Sequence, residues 1–273
     1  MKKIVPIALA ALITLSACNQ KDGKLSKLIK GEKEDTTVTN VLDTALYKQK
    51  MQYLANGDTT GRWPVKNDVY PLPGALLPFN RIVAYYGNLY SKNMGALGEY
   101  PPKELWKKLN AEVAAWNKAD STTPVIPAIH YIAAVAQGIP MKDNSYTMRM
   151  PEAQIDSAIA IAKMGNAIVF LDLQVSHSTV QKEVPLLEKY LKMPNVHLGI
   201  DPEFSMKDGS IPGRKIGNYD AADINFCSDY LAKLVKANNL TPKILIVHRF
   251  TQGMVKNYKN IKLHPEVQIV RNM

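Results

Sequence analysis

The stretch AIVFLDLQV, residues 167–175, is a short apolar run that becomes polar only toward its carboxyl end. Nearly continuous apolar runs of this length are typical of strands in a parallel sheet that is covered on both faces. Asp172 and Gln174 stand two residues apart, and strand residues at i and i+2 point to the same face. The stretch therefore predicts a buried strand with two polar side chains near its tip.

Five further segments repeat this pattern. They are RIVAYYG (81–87), PVIPAIHYIA (124–133), VHLGIDPEF (196–204), KILIVHRF (243–250) and EVQIVRNM, which begins at 266. Segments with helical spacing of apolar residues lie between them, at 101–119, 150–165, about 180–193 and 221–238. The alternation predicts an α/β fold in which crossover helices join parallel strands.

The number of strands limits the architecture. A complete (β/α) barrel has eight strands, and the sequence offers about six. We therefore predict a TIM-type (β/α) barrel over residues 79–273 that is incomplete. Either the barrel itself lacks two units or the chain is a truncated product, and the abrupt ending VQIVRNM favours truncation. No G-x-G-x-x-G motif follows the first strand, so a dinucleotide-binding fold is not predicted.

The first 17 residues have the features of an export signal. Two lysines precede an apolar run at 4–15, which is too short to span a bilayer comfortably. The ending LSAC (15–18) resembles the lipobox of bacterial lipoproteins, and this resemblance implies cleavage before Cys18 and lipidation of that cysteine. It also implies a protein anchored to a membrane of the cell envelope, outside the cytoplasm. The alternative is a plain signal peptide with a chance cysteine.

Two further segments precede the predicted barrel. Residues 18–40 are polar and charged, which predicts a flexible tether. Residues 41–78 include the turn-rich NGDTTGRWPVKNDVYPLPG and are predicted to be an irregular lead-in that packs on the edge of the domain. An open barrel would expose core and sheet edges, and this segment is a candidate to cover the gap.

Composition and charge narrow the class of protein. The chain is 46% hydrophobic and 21% charged, which is ordinary for a globular protein. Its formal net charge of +10 is spread thinly, without a basic stripe interleaved with aromatic residues, so nucleic acid is not a predicted partner. Beyond Cys18 only Cys227 remains, and one cysteine cannot form an internal disulfide.

The predicted strands share a polar carboxyl end. Besides Asp172 and Gln174, the polar residues at these tips are Tyr86, His130, Asp201, Glu203, His248 and Arg249. In (β/α) barrels the carboxyl ends of the strands converge, and active sites are built there. We therefore expect these side chains to line one pocket.

Paired acids at such a site favour cleavage of glycosidic bonds. One acid must be protonated to donate to the leaving oxygen, and another must be ionised. Crowding of acids raises the pKa of one of them, which divides the roles. We predict Glu203 as the general acid because it lies furthest toward the mouth, Asp201 as the residue that tunes it, and Asp172 as the second carboxylate. The predicted substrate-binding residues are Tyr86, His130, Gln174, His248 and Arg249.

Other functions stay open at this point. The chain is also consistent with a non-catalytic carbohydrate-binding lipoprotein of the envelope. A metal-assisted hydrolase of the phosphodiesterase type is another alternative, with Asp172, Asp201, Glu203 and His248 as ligands. No metal or other cofactor is assigned, because the first strand has no H-x-H and the chain has no H-E-x-x-H. Each strand-end acid can also simply cap the next helix.

The strand segments carry a family resemblance. RIVAYYGN, PVIPAIHYIA, AIVFLDLQV, HLGIDPEFSM and ILIVHRF together resemble a set of secreted bacterial proteins of unassigned role, often lipoproteins, with a glycoside-hydrolase-like TIM barrel. The resemblance covers about 80–273. GIDPE (199–203) is also similar to the apolar-D-x-E end of the fourth strand in chitinase-type hydrolases, with Glu203 at the position of the acid. The upstream aspartates of that motif are missing, since His197 and Leu198 stand there.

Overall fold

The computed structural model describes residues 41–60 and 69–272. The predicted export signal, the lipidation site at Cys18 and the tether lie outside the described residues, as do residues 61–68 of the lead-in. Within the two described ranges, no helix is both long enough and apolar enough to cross a membrane.

Nine strands and seven α-helices make up the described ranges. The strands are β1 (Arg81–Gly87), β2 (Val125–Ala136), β3 (Thr147–Arg149), β4 (Ile168–Leu173), β5 (Val196–Ile200), β6 (Tyr219–Asp220), β7 (Lys243–His248), β8 (Val255–Lys256) and β9 (Val267–Asn272). The helices are α1 (Thr44–Leu54), α2 (Ala96–Glu99), α3 (Pro102–Ala119), α4 (Glu152–Lys163), α5 (Val180–Leu186), α6 (Glu188–Leu191) and α7 (Ala221–Asn238). Short 3-10 turns lie at Pro202–Phe204, Gln252–Met254 and Tyr258–Asn260.

Six of these strands form one parallel sheet in the order β1-β2-β4-β5-β7-β9. The sheet is curled into a half-barrel flanked by helices, which confirms the predicted α/β class and is consistent with an incomplete TIM-type barrel. β3 adds to β2 in antiparallel orientation, while β6 and β8 pair with each other in a separate small sheet. The sequence did not predict these three short strands, because two or three residues carry no periodic signal.

The two faces of the sheet are built differently, because side chains alternate along each strand. The outer face packs against α3, α4 and α7 in the larger core. Strand residues in that core include Ile129, Val169, Leu198 and Leu245. The inner face has a smaller apolar cluster of Ala128, Ile168, Phe170, Ile244 and Ile246. Toward the carboxyl ends of the strands this inner face becomes polar.

Local sequence signals determine both ends of helix α7, which packs on the outer face of the sheet. Its first turn has a capping box: the Asp220 side chain accepts from the Ala222 amide at 3.1 Å, and the Asp223 side chain accepts from the Asp220 amide at 2.8 Å. The helix ends at Asn239, which adopts a left-handed conformation with φ 50°. These signals explain why the predicted bounds 221–238 are confirmed.

Two predicted elements differ from the structure. The helix predicted at about 180–193 is divided into α5 and α6 at Leu187, two residues after Pro185, which cannot donate a backbone hydrogen bond. The lead-in is not wholly irregular, because it contains α1. Asp43 caps that helix by accepting from the amides of Ala45 and Leu46, at 3.0 and 2.9 Å.

The second part of the lead-in lies against the inner face. Leu76 and Leu77 pack against the smaller apolar cluster. The Gln268 side chain in β9 accepts from the Leu77 amide at 3.1 Å and donates to the Leu77 carbonyl at 2.6 Å. The segment therefore covers apolar side chains of the inner face and is attached to the last strand of the half-barrel.

Candidate functional site

Strand register brings four polar side chains onto the inner face. Tyr86 in β1 pairs with His130 in β2, and His130 pairs with Phe170 in β4. Asp172 follows Phe170 by two residues and therefore shares its face. His248 in β7 reaches the same face two residues beyond Ile246. Strands β1, β2, β4 and β7 thus place a tyrosine, two histidines and a carboxylate at one end of the half-barrel.

Asp172 is the centre of this cluster and is completely buried. Its Oδ2 accepts a hydrogen bond from the Tyr86 hydroxyl at 3.1 Å. Its Oδ1 lies 3.1 Å from His248 Nε2 and 3.2 Å from His130 Nε2. The two imidazole rings lie 5.3 Å apart between centroids. Each histidine therefore directs its Nε2 atom at Asp172 Oδ1. We call His130, Asp172 and His248 the His–Asp–His cluster.

The two histidine contacts are not equivalent. The contact from His248 Nε2 has hydrogen-bond geometry. The contact from His130 Nε2 is close enough but does not meet the geometry of a hydrogen bond, so this buried nitrogen has no hydrogen-bond partner. Because burying an unpaired polar atom is unfavourable, the unpartnered nitrogen of His130 needs an explanation.

Gly199 makes room for the cluster. It pairs with Asp172 in the register of β4 and β5 and lies between the strands that carry Asp172 and His248. A Cβ atom at this position would lie 2.2 Å from Asp172 Oδ1 and 2.8 Å from His130 Nε2. Any side chain here would displace the cluster, so the glycine lets residues of β2, β4 and β7 meet across β5.

Charges within the cluster stabilise each other. Burial alone would raise the pKa of Asp172, but the neighbouring His248 and His130 hold it well below its usual range. Burial likewise lowers the pKa of His248, and the Asp172 carboxylate outweighs that effect and raises the pKa to about 9. These effects favour an ionised Asp172 beside a protonated His248 at neutral pH.

Asp201 has the opposite protonation behaviour. It follows β5, and its backbone amide donates to the carbonyl of Leu173 at 3.0 Å, so it lies beside the end of β4. Burial raises the pKa of Asp201, and the negative charge of Asp172 raises it further, to about 7. The surroundings thus favour the ionised form of Asp172 and the protonated form of the nearby Asp201.

The strand predicted at 196–204 is shorter in the structure, so Asp201 and Glu203 do not share a strand face. β5 ends at Ile200, and Glu203 lies in the 3-10 turn Pro202–Phe204. The Asp201 side chain accepts from the Glu203 amide at 3.0 Å and caps this turn. Asp201 is buried, whereas Glu203 is only half-buried. Of the two acids, Glu203 is therefore the one more accessible to water.

The other predicted binding residues divide into two groups. Gln174 lies at the cluster: its Oε1 accepts from the Ala136 amide at 3.0 Å, and its Nε2 lies 3.5 Å from the Tyr86 hydroxyl. Arg249 points elsewhere. Its guanidinium donates to the carbonyls of Thr251 and Gln252, at 3.3 and 3.0 Å, and lies over the ring of Tyr258. The structure does not bring the Arg249 side chain to the cluster.

The sequence interpretation missed Gly199 and the close association of His130 with Asp172. A glycine within a strand often marks a close approach of another group, so Gly199 was a usable signal. The contact between His130 and Asp172 depends on register between strands, which one sequence does not show.

A separate pocket of about 400 Å³ lies away from these residues. It is lined mainly by residues between Leu89 and Leu105, together with Ile161 of α4. None of the predicted site residues lines this pocket, so it adds nothing to the chemistry of the cluster.

Comparison of the chain with protein-family models, with curated proteins and with solved structures finds no match. The three resemblances noted from the sequence therefore stay predictions. Any functional conclusion has to come from the geometry of the site.

Proposed function

We propose that the chain is a glycan hydrolase that uses acid–base catalysis at the carboxyl end of the half-barrel, with Asp201 as the proton donor and Glu203 as the second carboxylate. The observation that carries this proposal is the carboxyl group of Asp201, whose pKa burial and the Asp172 charge raise to about 7, next to the half-buried Glu203 two residues along the chain. An acid whose pKa is raised in this way, beside a second carboxylate that is open to water, allows acid and base chemistry at the same pH.

Asp201 fits the proton donor better than Glu203, to which the sequence interpretation gave this role. With its pKa raised to about 7, Asp201 retains its proton in part of the molecules at neutral pH. A group with a pKa close to the working pH is the most effective general acid. Glu203, being half-buried, can contact water and substrate as the base or nucleophile.

Asp172 is a positioning residue in this proposal, because it is fully buried and cannot reach a substrate. Its charge favours the protonated form of Asp201, and its two oxygens hold Tyr86 and His248 in place. Tyr86 and His248 are both partly exposed, so they are the candidates to bind sugar hydroxyl groups.

The proposed substrate is a polysaccharide or envelope glycan. Lipidation at Cys18, predicted from the sequence, would hold the enzyme on a membrane outside the cytoplasm and close to such polymers. This assignment of substrate and location depends on the resemblance of the first 18 residues to lipoprotein signals, and it belongs to the proposal.

Release of reducing sugar from a panel of polysaccharides tests the proposal. We expect Asp201→Asn and Glu203→Gln each to lower kcat by about 10²- to 10⁴-fold on the accepted substrate. The exposed Asp156 gives a matched control, and Asp156→Asn should retain the wild-type rate. The wild-type rate should also fall above pH 7, as Asp201 loses its proton.

Three results would overturn the proposal. They are the absence of sugar release on every substrate, wild-type rates in both acid variants, and binding on a glycan array without any turnover. The last result would favour the carbohydrate-binding alternative instead.

A second candidate, metal-assisted hydrolysis, is favoured by a different observation. The His–Asp–His cluster brings two imidazoles and a carboxylate together, which is a donor set that divalent metal ions bind.

A further inference from the structure

We infer that His130, Asp172 and His248 form a binding site for one divalent transition-metal ion, and that Zn²⁺ is the ion that best fits the donor set. This metal site includes residues that the proposed function also uses. The inference depends on the proposed function only for the chemical role of the bound ion. Binding itself can be measured without any substrate.

The distances within the cluster fit metal coordination. A tetrahedral Zn²⁺ with bonds of about 2.0–2.1 Å separates its ligand atoms by about 3.3 Å. Asp172 Oδ1 lies 3.1 Å from one Nε2 atom and 3.2 Å from the other. The three donor atoms all lie within 4.8 Å of one another. The cluster thus already has two of the three ligand separations, and the third, between the two histidine nitrogens, is at most 4.8 Å and has to approach about 3.3 Å when the ion binds.

The unpartnered nitrogen of His130 supports the inference independently. His130 is only 4% exposed, and its Nε2 faces Asp172 Oδ1 without a hydrogen bond. This nitrogen lies 3.2 Å from the carboxylate oxygen without hydrogen-bond geometry. A cation bound by both atoms would give the nitrogen a partner, and it would satisfy both imidazoles and the carboxylate at once.

The surroundings of the cluster also suit a metal site. Metal-bound carboxylates are usually held by a hydrogen bond on the other oxygen, and the Tyr86 hydroxyl provides one to Asp172 Oδ2. Gln174 lies behind Tyr86 and is itself fixed by the Ala136 amide. Gly199 leaves the space next to Asp172 Oδ1 and His130 Nε2 free of a side chain.

The donor types select the class of ion. Ca²⁺ and Mg²⁺ prefer oxygen ligands, whereas imidazole nitrogen together with carboxylate suits Zn²⁺ and Fe²⁺. Three protein ligands leave a coordination position open, as in catalytic zinc sites, where that position holds water or substrate. His248 is the most exposed of the three ligands, with 19% of its side chain accessible, so the open position is expected on its side.

Calorimetric titration of Zn²⁺ into the purified full chain, stripped of metal with a chelator, tests the site. We expect one ion per chain for the wild type. His130→Ala and His248→Ala should each weaken binding by about 100-fold or more, since loss of an outer-shell partner alone costs about 10- to 100-fold. His264 is a matched control: it lies beside Asp229, ahead of the amino end of β9, and His264→Ala should bind Zn²⁺ as the wild type does.

Three further measurements keep the test decisive if a ligand variant unfolds. Thermal melting in chelator shows whether each variant is folded before it is titrated. Tyr86→Phe removes only one hydroxyl group and should weaken Zn²⁺ binding by about tenfold through the loss of its hydrogen bond to Asp172. Substitution with Co²⁺ should give the visible absorption of a low-symmetry, four- or five-coordinate ion in the wild type and not in His248→Ala.

The outcomes separate this inference from the proposed function. A wild-type chain that binds no Zn²⁺, or folded His130→Ala and His248→Ala variants that both bind like the wild type, would overturn the metal site. Sugar release that is unaffected by chelator would then leave the proposed function standing. Stoichiometric binding without hydrolysis of any glycan would support the site and remove the proposed function.

Discussion

The amino and carboxyl ends of the parallel strands both bury polar side chains, but the partners of these side chains differ between the two ends. At the amino end, Lys243 donates to the backbone carbonyls of Met193, Pro194 and Val196, at 2.5, 3.4 and 2.8 Å. His197 there accepts from the Ile244 amide at 3.0 Å. At the carboxyl end, the His–Asp–His cluster consists of side chains that face one another.

This difference separates structural polar groups from candidate functional ones. Backbone carbonyls are fixed by the fold, so Lys243 joins neighbouring chain segments and is not available for chemistry. Burial lowers the pKa of Lys243 to about 8 and that of His197 to about 3, which disfavours charge at the amino end. At the carboxyl end, Asp172 and His248 favour each other's charged forms. Buried groups of opposite charge are therefore paired at the end where we place the chemistry, whereas the ammonium of Lys243 at the amino end has only backbone carbonyls as partners.

The largest expected effect comes from filling the space at Gly199. Gly199→Ala places a methyl group 2.2 Å from Asp172 Oδ1, so the strands or the cluster must shift. We expect a loss of about 3 kcal/mol in the free energy of unfolding, which is typical of overpacking a tight site. Urea denaturation measures it. Gly253→Ala is the control, since a Cβ there meets nothing within 4 Å. Equal stability of the two variants would contradict the close packing at β5.

The second prediction concerns the pH dependence of stability in the presence of chelator. His248 has a folded pKa near 9, above its unfolded value of about 6.5, so its contribution is complete below pH 6.5 and is lost as the pH rises toward 9. The charged and titratable groups that face it are Tyr86, His130, Asp172, Asp201 and Glu203.

We expect the wild type to lose about 2 kcal/mol from this residue between pH 6.5 and 8, since one unit of pKa shift is worth about 1.4 kcal/mol. His248→Gln should lack that loss, and the difference between the two curves isolates it. Lys243 titrates in both proteins, and both are compared with Asp201→Asn in place because the charge of His248 also lowers the pKa of Asp201. Parallel curves for wild type and variant would show that the pair of Asp172 and His248 is not ionised.

At the amino end, Lys243→Met should destabilise the fold without affecting the site. Loss of the ammonium leaves buried carbonyls of Met193 and Val196 without this partner, at a cost of about 1 to 2 kcal/mol in the free energy of unfolding. Lys182→Met is the control because Lys182 is exposed. Urea denaturation should show the loss for Lys243→Met only, with Zn²⁺ binding unchanged. Weaker Zn²⁺ binding would mean that the two ends are coupled.

The smallest effect is expected for Tyr86→Phe. It removes one hydrogen bond to Asp172, which is worth about 1 kcal/mol in the free energy of unfolding. Tyr90→Phe is the matched control, because Tyr90 is 67% exposed. A melting curve for Tyr86→Phe that coincides with the control would indicate that the hydroxyl does not hold the carboxylate.

Most of the sheet could be predicted from the sequence, because each strand is an apolar run bounded by turn residues. The bounds of β1 at 81–87 and of α7 at 221–238 were predicted without error. The end of β5 was placed too late because the pattern at 196–204 continues to alternate. Pro202 cannot donate to a ladder, and the Asp201 side chain bonds the backbone instead, so the strand stops.

From the sequence, the site could be predicted only as a set of polar residues at the carboxyl ends of the strands. Parallel strands explain why Tyr86, His130 and Asp172 converge, and that part followed from the sequence. Which pairs touch depends on the space at Gly199, which a glycine within a strand could have signalled, and on the stagger between strands, which one sequence does not show. Arg249 follows His248 directly, so alternation already placed its side chain on the opposite face.

The side-chain amide of Gln268 bonds the backbone of Leu77 as a second peptide group would. It accepts from the Leu77 amide and donates to the Leu77 carbonyl. These partners are 191 positions apart in the chain. Because this contact closes a long loop, its formation is favoured once the intervening strands have paired. Deuterium exchange at the Leu77 amide reports on opening of the contact, which would release the start of the domain from β9.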